Sequence, residues 1–208
     1  PLDLLGARSF RISVTASILL FTSTSASLVA LPFYLQHGLG QNIWMTGLYM
    51  TPWPLSVAVA APFVARLASH VSTASLCAAG GICLALGLAA AAMWPLQESL
   101  LPLAFLTTLC GLGFGLFQVP NNQNMFLSVP SERSGAAGGM QGTARLTGQT
   151  AGAILMTLLF TLTSVSAAPR IGLGIAAALA LAAGIVSLLR VNSTAKARFE
   201  KVSTRRWI

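Results

Sequence analysis

A long uncharged stretch near the start of the chain decides the fold. Residues 12–65 read ISVTASILLFTSTSASLVALPFYLQHGLGQNIWMTGLYMTPWPLSVAVAAPFVA and contain no Asp, Glu, Lys or Arg. A bilayer crossing needs about 20 mostly apolar residues, so this stretch is long enough for two crossings. Its middle part, residues 31–44, holds one Pro, two Gly and four polar side chains, which break helices and suit a loop. The stretch therefore predicts two membrane helices, at about 12–35 and 44–66.

The composition of the whole chain argues against a soluble fold. Of its 208 residues, 55% are hydrophobic and 8% are charged, whereas a soluble domain carries about 25% charged residues. Four further apolar stretches predict membrane helices at about 72–94, 100–121, 135–164 and 171–189. The predicted fold class is an all-α membrane protein with six transmembrane helices at 12–190, a cytoplasmic lead-in at 1–11 and a basic cytoplasmic tail at 191–208.

The basic residues predict the orientation of these helices. Six crossings put both termini on one side, and with that side inside, the outer loops carry only Arg170 while Arg145 lies within the fifth helix. This bias follows the positive-inside rule and predicts a multi-pass plasma membrane protein with both termini cytoplasmic, in a bacterial inner membrane. It also favours membrane lipid as a partner over nucleic acid. The inner basic residues are Arg8, Arg11, Arg66, Arg133, Arg190, Lys196, Arg198, Lys201, Arg205 and Arg206.

One face of the fifth helix is small and polar, with a cation in its middle. Spacings of three and four residues put its members together: Gly138, Gln141, Gly142, Arg145, Gly148, Gln149 and Gly152. An intramembrane Arg is costly against lipid, so Arg145 is expected to face a cavity or a partner. We interpret Arg145, Gln141 and Gln149 as part of a transport path or gate. The alternative is an Arg that reaches the headgroups or pairs with a carbonyl.

The fourth helix repeats this pattern on a smaller scale. Gln118, Asn121 and Asn122 lie toward its inner end, as Arg145 does in the next helix. Because consecutive helices are usually neighbours, these side chains could line one inner vestibule with Arg145. Interhelical hydrogen bonding is the alternative function for them.

Three pairs of glycines at a spacing of four residues predict close helix packing. This spacing lets helix backbones approach each other. Gly111 also belongs to a GLGFG motif, but a dinucleotide-binding loop needs a strand before it, and here the motif lies within an apolar helix. The pairs are Gly111 with Gly115, Gly138 with Gly142, and Gly148 with Gly152.

The residues of a catalytic or metal site are missing from the sequence. None of the four acids lies in a predicted span, and the serines and histidines form no nucleophile motif. Cys77, Cys83 and Cys110 all lie in apolar stretches, which suits buried thiols rather than metal ligands or disulfides. We therefore expect no enzyme activity, no cofactor and no metal. The chain also has no obvious proton carrier of its own, since such carriers are buried titratable groups.

Several stretches in order along the chain resemble the major facilitator superfamily. They are LPFYLQHGLG at 31–40, TGLYMTPWPL at 46–55, GLGFGLFQVPNNQNM at 111–125, VPSERSG at 129–135 and GTARLTGQTAG at 142–152. The chain is most similar to the carboxy-terminal half of the multidrug drug:proton antiporters with fourteen spans. One departure lies at PFVARLASHVS, residues 62–72, which keeps Arg66 but lacks the acidic residue of the family's cytoplasmic latch.

The resemblance implies half of a transporter. The chain begins with Pro rather than Met, which predicts a fragment or a processed product. The missing partner would be the amino-terminal six or eight helices with the proton-carrying acid. The implied function is proton-coupled efflux of lipophilic, often cationic, small molecules by alternating access. Two alternatives stay open at this point. One is a family transporter for an anionic or neutral metabolite, and the other is a stand-alone six-helix membrane scaffold.

Overall fold

The structure, a computed structural model, describes residues 2–93 and 101–204, with side chains from Asp3 to Met93 and from Leu101 to Arg190. All regular structure in these residues is helical. A π-helical turn at Tyr34–Gly38 continues the first helix, and short 3-10 turns lie at Leu2–Gly6 and Ser131–Arg133. The helices are α1 (Arg8–Phe33), α2 (Ile43–Met50), α3 (Pro52–Leu67), α4 (Thr73–Met93), α5 (Leu101–Leu127), α6 (Ser134–Leu162) and α7 (Ala168–Thr204).

The seven helices of the described residues form six rod-like membrane segments, here called rods. α2 and α3 count as one rod because only Thr51 separates them. Within the described residues, every rod except α6 is long and apolar enough to cross a bilayer. The 29 residues of α6 are also long enough, at about 1.5 Å of rise per residue. Its glycines, glutamines and Arg145 lower its hydropathy. The predicted fold class, an all-α membrane protein of six helices, is confirmed.

Three helices extend beyond their predicted ends. The first begins at Arg8 rather than at 12, and the fourth continues past Pro120 to Leu127. Met125 in that extension is fully buried with Phe10 of α1, so packing of α5 on the start of α1 stabilises both extra turns. α7 continues to Thr204, and six of the seven residues at 195–201 are strong helix formers, namely Ala, Lys, Arg and Glu.

Close backbone contacts hold the helices together. α4 packs against α5 and α7, α1 packs against α6 and α7, and α3 packs against α5. The main core lies between these pairs, with Leu84, Leu88, Leu103, Phe117 and Leu173 fully or almost fully buried in it. This arrangement leaves one side of α3 and of α6 without a neighbouring helix.

A second, smaller core fixes the lead-in at the end of the bundle where α1 begins. Leu4 and Phe10 are buried there against Met125, Ala137 and Ala144 of α5 and α6. An ion pair joins the same elements at the surface, where Arg133 Nη1 lies 2.6 Å from Asp3 Oδ2. The lead-in is therefore attached both to α1 and to the start of α6.

This ion pair predicts an acid-sensitive attachment of the lead-in. The hydrogen bond from Arg133 lowers the pKa of Asp3 from 3.8 to about 2. A carboxyl with a lowered pKa stabilises the folded state above its unfolded pKa, and that stabilisation is lost as the pH falls through the folded value. We expect Asp3→Asn to speed proteolysis of residues 1–7 at pH 7, and we expect its difference from the unaltered protein to shrink as the pH falls from about 4 to about 2, where half of the Asp3 carboxyls are protonated. Glu132→Gln is the control, and a difference at pH 2 as large as the one at pH 7 would contradict this account.

Candidate functional site

A cavity of about 700 Å³ lies between α1, α3, α5 and α6. Its walls are mainly apolar. Phe21 of α1 and Phe114 of α5 meet edge to face, with ring centroids 5.8 Å apart and planes at 76°. Trp53 of α3 forms a third aromatic wall and is 3% exposed. Ligand pockets of this volume, apolar with a few polar groups, are typical of sites for drug-sized molecules.

The hydroxyl groups in the cavity already donate to backbone oxygens. Thr24 Oγ1 donates to the Leu20 carbonyl at 2.9 Å, within α1. Ser25 Oγ donates to the Gln149 carbonyl at 2.8 Å and so joins α1 to α6. The side chain of Gln149 is the longest polar group that lines the cavity. None of the residues that line the cavity carries a charge.

The polar residues predicted on α6 occupy different surroundings. Gln149 lines the cavity, and Arg145 is exposed one turn earlier on the helix. Among the described residues, Arg145 makes no hydrogen bond or ion pair. Gln141, one further turn away, is half-buried. A role of these side chains in a transport path stays a prediction.

The polar residues predicted on α5 lie away from this cavity. Asn121 is 1% exposed and donates from Nδ2 to the Ser13 carbonyl at 3.2 Å and to Ser17 Oγ at 2.8 Å. This is the interhelical hydrogen bonding that was the alternative interpretation. Gln118 and Asn122 are half-buried and do not line the cavity. The structure therefore does not bring the polar residues of α5 together with Arg145 at this site.

A buried Arg that the sequence analysis assigned to topology completes this network. Arg190 is 5% exposed, donates from Nη2 to Asn121 Oδ1, and lies 3.7 Å from Cys77 Sγ. The Cys77 thiol in turn donates to the Phe117 carbonyl at 3.5 Å. The network thus joins α1, α4, α5 and α7 near one end of the bundle.

A sequence signal for this burial exists on α7. Small residues recur there at spacings of four and three, which puts them on one face of the helix. Arg190 is the next residue on that face. Every member of that stripe is fully buried in the structure: Ala176, Ala180, Ala183 and Ser187.

The predicted packing glycines differ in how closely they meet a neighbour. A Cβ at Gly111 would overlap the Trp53 carbonyl oxygen of α3. At Gly148 and Gly152 it would lie 2.7 and 2.5 Å from carbonyl oxygens of α1. Gly115 and Gly138 are in ordinary van der Waals contact with α3 and α5, and Gly142 meets nothing within 4 Å.

Two close contacts of α4 were not predicted from its sequence. A Cβ at Gly80 would lie 2.6 Å from the Gly113 carbonyl oxygen of α5, and one at Gly81 would lie 2.8 Å from the Ala180 carbonyl oxygen of α7. The adjacent pair Gly80 and Gly81 was the available signal, since it puts glycine on two neighbouring helix faces. Across the described residues, no three His, Cys, Asp or Glu side chains lie close enough together to hold a metal ion.

Comparison with known proteins links the chain to membrane transporters. The sequence profile of the Major Facilitator Superfamily matches residues 2–153. The chain is 41% identical over 192 residues to the uncharacterized transporter YebQ of Escherichia coli, a match that covers 92% of this chain and 42% of that protein.

Two more distant relatives carry a solute or a drug-resistance role in their names. The riboflavin transporter RibZ of Clostridioides difficile is 26% identical over 144 residues, which are 69% of this chain and 32% of that protein. The multidrug resistance protein Stp of Mycobacterium tuberculosis is 29% identical over 144 residues, which are 69% of this chain and 27% of that protein. The chain thus spans less than half the length of these curated relatives.

Proposed function

The chain belongs to the Major Facilitator Superfamily, a family of multi-pass membrane transporters rather than enzymes, and on that premise we propose that it forms one half of an exporter of lipophilic solutes. The observation that carries this proposal is the apolar cavity between α1, α3, α5 and α6. Aromatic and aliphatic side chains make up most of its lining, and no charged residue contributes to it. Such a lining favours lipophilic compounds over strongly hydrated ones.

The proposed missing half has two roles. It would cover the side of α3 and α6 that lacks a neighbouring helix, and thereby close the cavity. It would also supply the proton carrier, because the four acids of this chain all lie outside its predicted membrane helices. The lengths of the relatives leave room for such a half, of six or eight helices. Alternating access would then expose the cavity to each side of the membrane in turn.

The orientation follows from the charge bias. We place residues 12–190 in a bacterial inner membrane, with the lead-in and the basic tail at 191–208 in the cytoplasm, where anionic lipid attracts the tail. The relative in Escherichia coli supports a bacterial membrane.

A second candidate function is transport of an anionic or neutral metabolite. Arg145 is exposed one turn from Gln149, so an anion that enters the cavity past α6 would meet a positive charge. The name of the riboflavin transporter also supports a metabolite. The two candidates differ in the charge of the solute.

Substitution of one cavity aromatic tests the proposed function. In the complete transporter, we expect Phe114→Ala to weaken ethidium efflux about tenfold, because the half-buried Phe114 ring lines the cavity and an aromatic side chain in such a wall contributes that much apolar contact. Phe105→Ala is the matched control, since Phe105 lies on the same helix and is 77% exposed. The measurement is dye efflux from energised cells, with riboflavin uptake measured in parallel. Riboflavin transport without ethidium efflux would support the second candidate, and equal losses in both variants would argue against the cavity.

A further inference from the structure

Two prolines remove hydrogen bonds from helices that line the cavity. Proline has no N–H, so the carbonyl four residues earlier loses its helical donor. Pro32 lies within α1, so the Leu28 carbonyl loses its helical donor. Pro62 lies within α3, so the Ala58 carbonyl loses its helical donor. Both Leu28 and Ala58 line the cavity.

The residues that carry the two carbonyls lie on accessible faces of their helices. A helical carbonyl points along the axis toward the residue four positions later, on the same face. Leu28 is 47% exposed, and Ala58 and Pro62 are both exposed. None of the described hydrogen bonds made by side chains or in turns ends on the carbonyl oxygen of Leu28 or of Ala58.

These oxygens differ from the other polar groups of the cavity. The hydroxyls of Thr24 and Ser25 already donate to carbonyls, and the residues that line the cavity include no carboxylate. A carbonyl without a donor is costly in an apolar medium, so a bound solute that donates to it gains a full hydrogen bond. A cationic nitrogen gains most, because charge-assisted hydrogen bonds are stronger and the rings of Phe21 and Phe114 add cation–π attraction.

We propose that the carbonyl oxygens of Leu28 and Ala58, freed by Pro32 and Pro62, select solutes that carry N–H donors, and cations above all. This inference rests on the proposed function and narrows it, because it assigns recognition of the solute to backbone acceptors instead of an acidic side chain. It also explains how a cavity without a negative charge holds a cation.

Two other prolines provide matched controls. Pro52 frees the carbonyl of Leu48, and both residues line a separate groove of about 400 Å³ between α2, α3 and α5. Pro120 frees the carbonyl of Leu116, which lies against Gly80 of α4 and away from the cavity. Substitution of either proline restores a helical N–H without changing the acceptors of the cavity.

The test compares two dyes in the complete transporter. Ethidium is a cation with amino donors, and Nile red is a neutral lipophilic dye without N–H groups. Pro32→Ala and Pro62→Ala each restore a backbone N–H that donates to the carbonyl four residues earlier, so this carbonyl can no longer accept from a solute. We expect each variant to weaken ethidium transport about tenfold. Nile red transport should stay within twofold of the unaltered protein, and Pro52→Ala and Pro120→Ala should leave the ratio of the two dyes unchanged.

The outcomes separate this inference from the function on which it rests. Equal losses for both dyes in Pro32→Ala and Pro62→Ala would mean that the prolines act only on helix shape, and would overturn the inference. Unchanged ethidium transport in both variants would overturn it as well, while lipophilic export would stand. An unaltered transporter that moves neither dye would overturn the proposed function and this inference together.

Discussion

Replacement of Gly113 by Ala is expected to destabilise the bundle by about 1–3 kcal/mol, as overpacking does in a close-packed core. A Cβ at Gly113 would lie 2.5 Å from the Leu84 nitrogen and 2.7 Å from the Gly80 carbonyl oxygen. Both atoms belong to the backbone of α4, so no side chain can move aside. α4 and α5 would have to separate, and the larger Gly113→Leu should leave no folded protein.

The control for this prediction is Gly142→Ala on α6, where an added Cβ meets nothing within 4 Å. Alanine has a higher helix propensity than glycine, so this variant should be as stable as the unaltered protein or slightly more stable. Thermal unfolding of the complete transporter in detergent, followed by size-exclusion chromatography, measures both variants. Equal melting temperatures for Gly113→Ala and Gly142→Ala would show that α4 and α5 do not approach as closely as described.

Replacement of Asn121 by Leu is expected to cost about 3 kcal/mol, because it removes the carbonyl acceptor of a buried guanidinium. Asn121 Oδ1 accepts from Arg190, and its amide group also joins α5 to Ser13 and Ser17 of α1. Gln123→Leu is the control, since Gln123 is exposed on the same helix. Reversible unfolding in mixed detergent gives the difference in unfolding free energy.

The double variant Asn121→Leu with Arg190→Met distinguishes this cause from a general packing defect. Removal of both partners of a buried polar pair is far less costly than removal of one, because the buried charge is removed together with the group that accepts from it. The double variant should therefore recover much of the lost stability. Additive losses from the two substitutions would contradict the coupling between these residues.

Hydropathy and helix-breaking residues were enough to predict the fold class. Each predicted helix is a run of apolar residues bounded by stretches that are richer in polar, charged or helix-breaking residues, and this pattern depends on the bilayer rather than on tertiary contacts. The burial of Arg190 could not be predicted from the same pattern, because a basic residue at the end of a span also fits a topology signal. A stripe of small residues precedes Arg190 on α7. It favours burial of Arg190 over a topology signal only when it is known that α4 and α5 lie close to the end of α7.

The candidate site was predicted in part. The spacing of polar residues on α6 predicted a role for Gln149, which lines the cavity. The same spacing did not show that Arg145 would be exposed one turn away. The cavity aromatics Phe21, Trp53 and Phe114 come from three different helices. No local pattern marks them, since an aromatic in an apolar helix is equally common against lipid or in the core. Their convergence depends on the relative positions of the helices.

The low hydropathy of α6 has a consequence for membrane insertion during synthesis. An Arg near the centre of a helix makes the free energy of membrane insertion less favourable by about 2.5–3.5 kcal/mol, on the scale measured by insertion experiments. The glycines of α6 contribute little favourable insertion energy to offset this cost. The segment that follows it, Ala168–Arg190, has a mean hydropathy of 2.3, the highest of the apolar spans. We therefore expect α6 to depend on α7, synthesised after it, and on α1, already in place, to remain in the bilayer. On this account the three helices enter the membrane as an interdependent group, and α6 becomes a transmembrane helix through its neighbours.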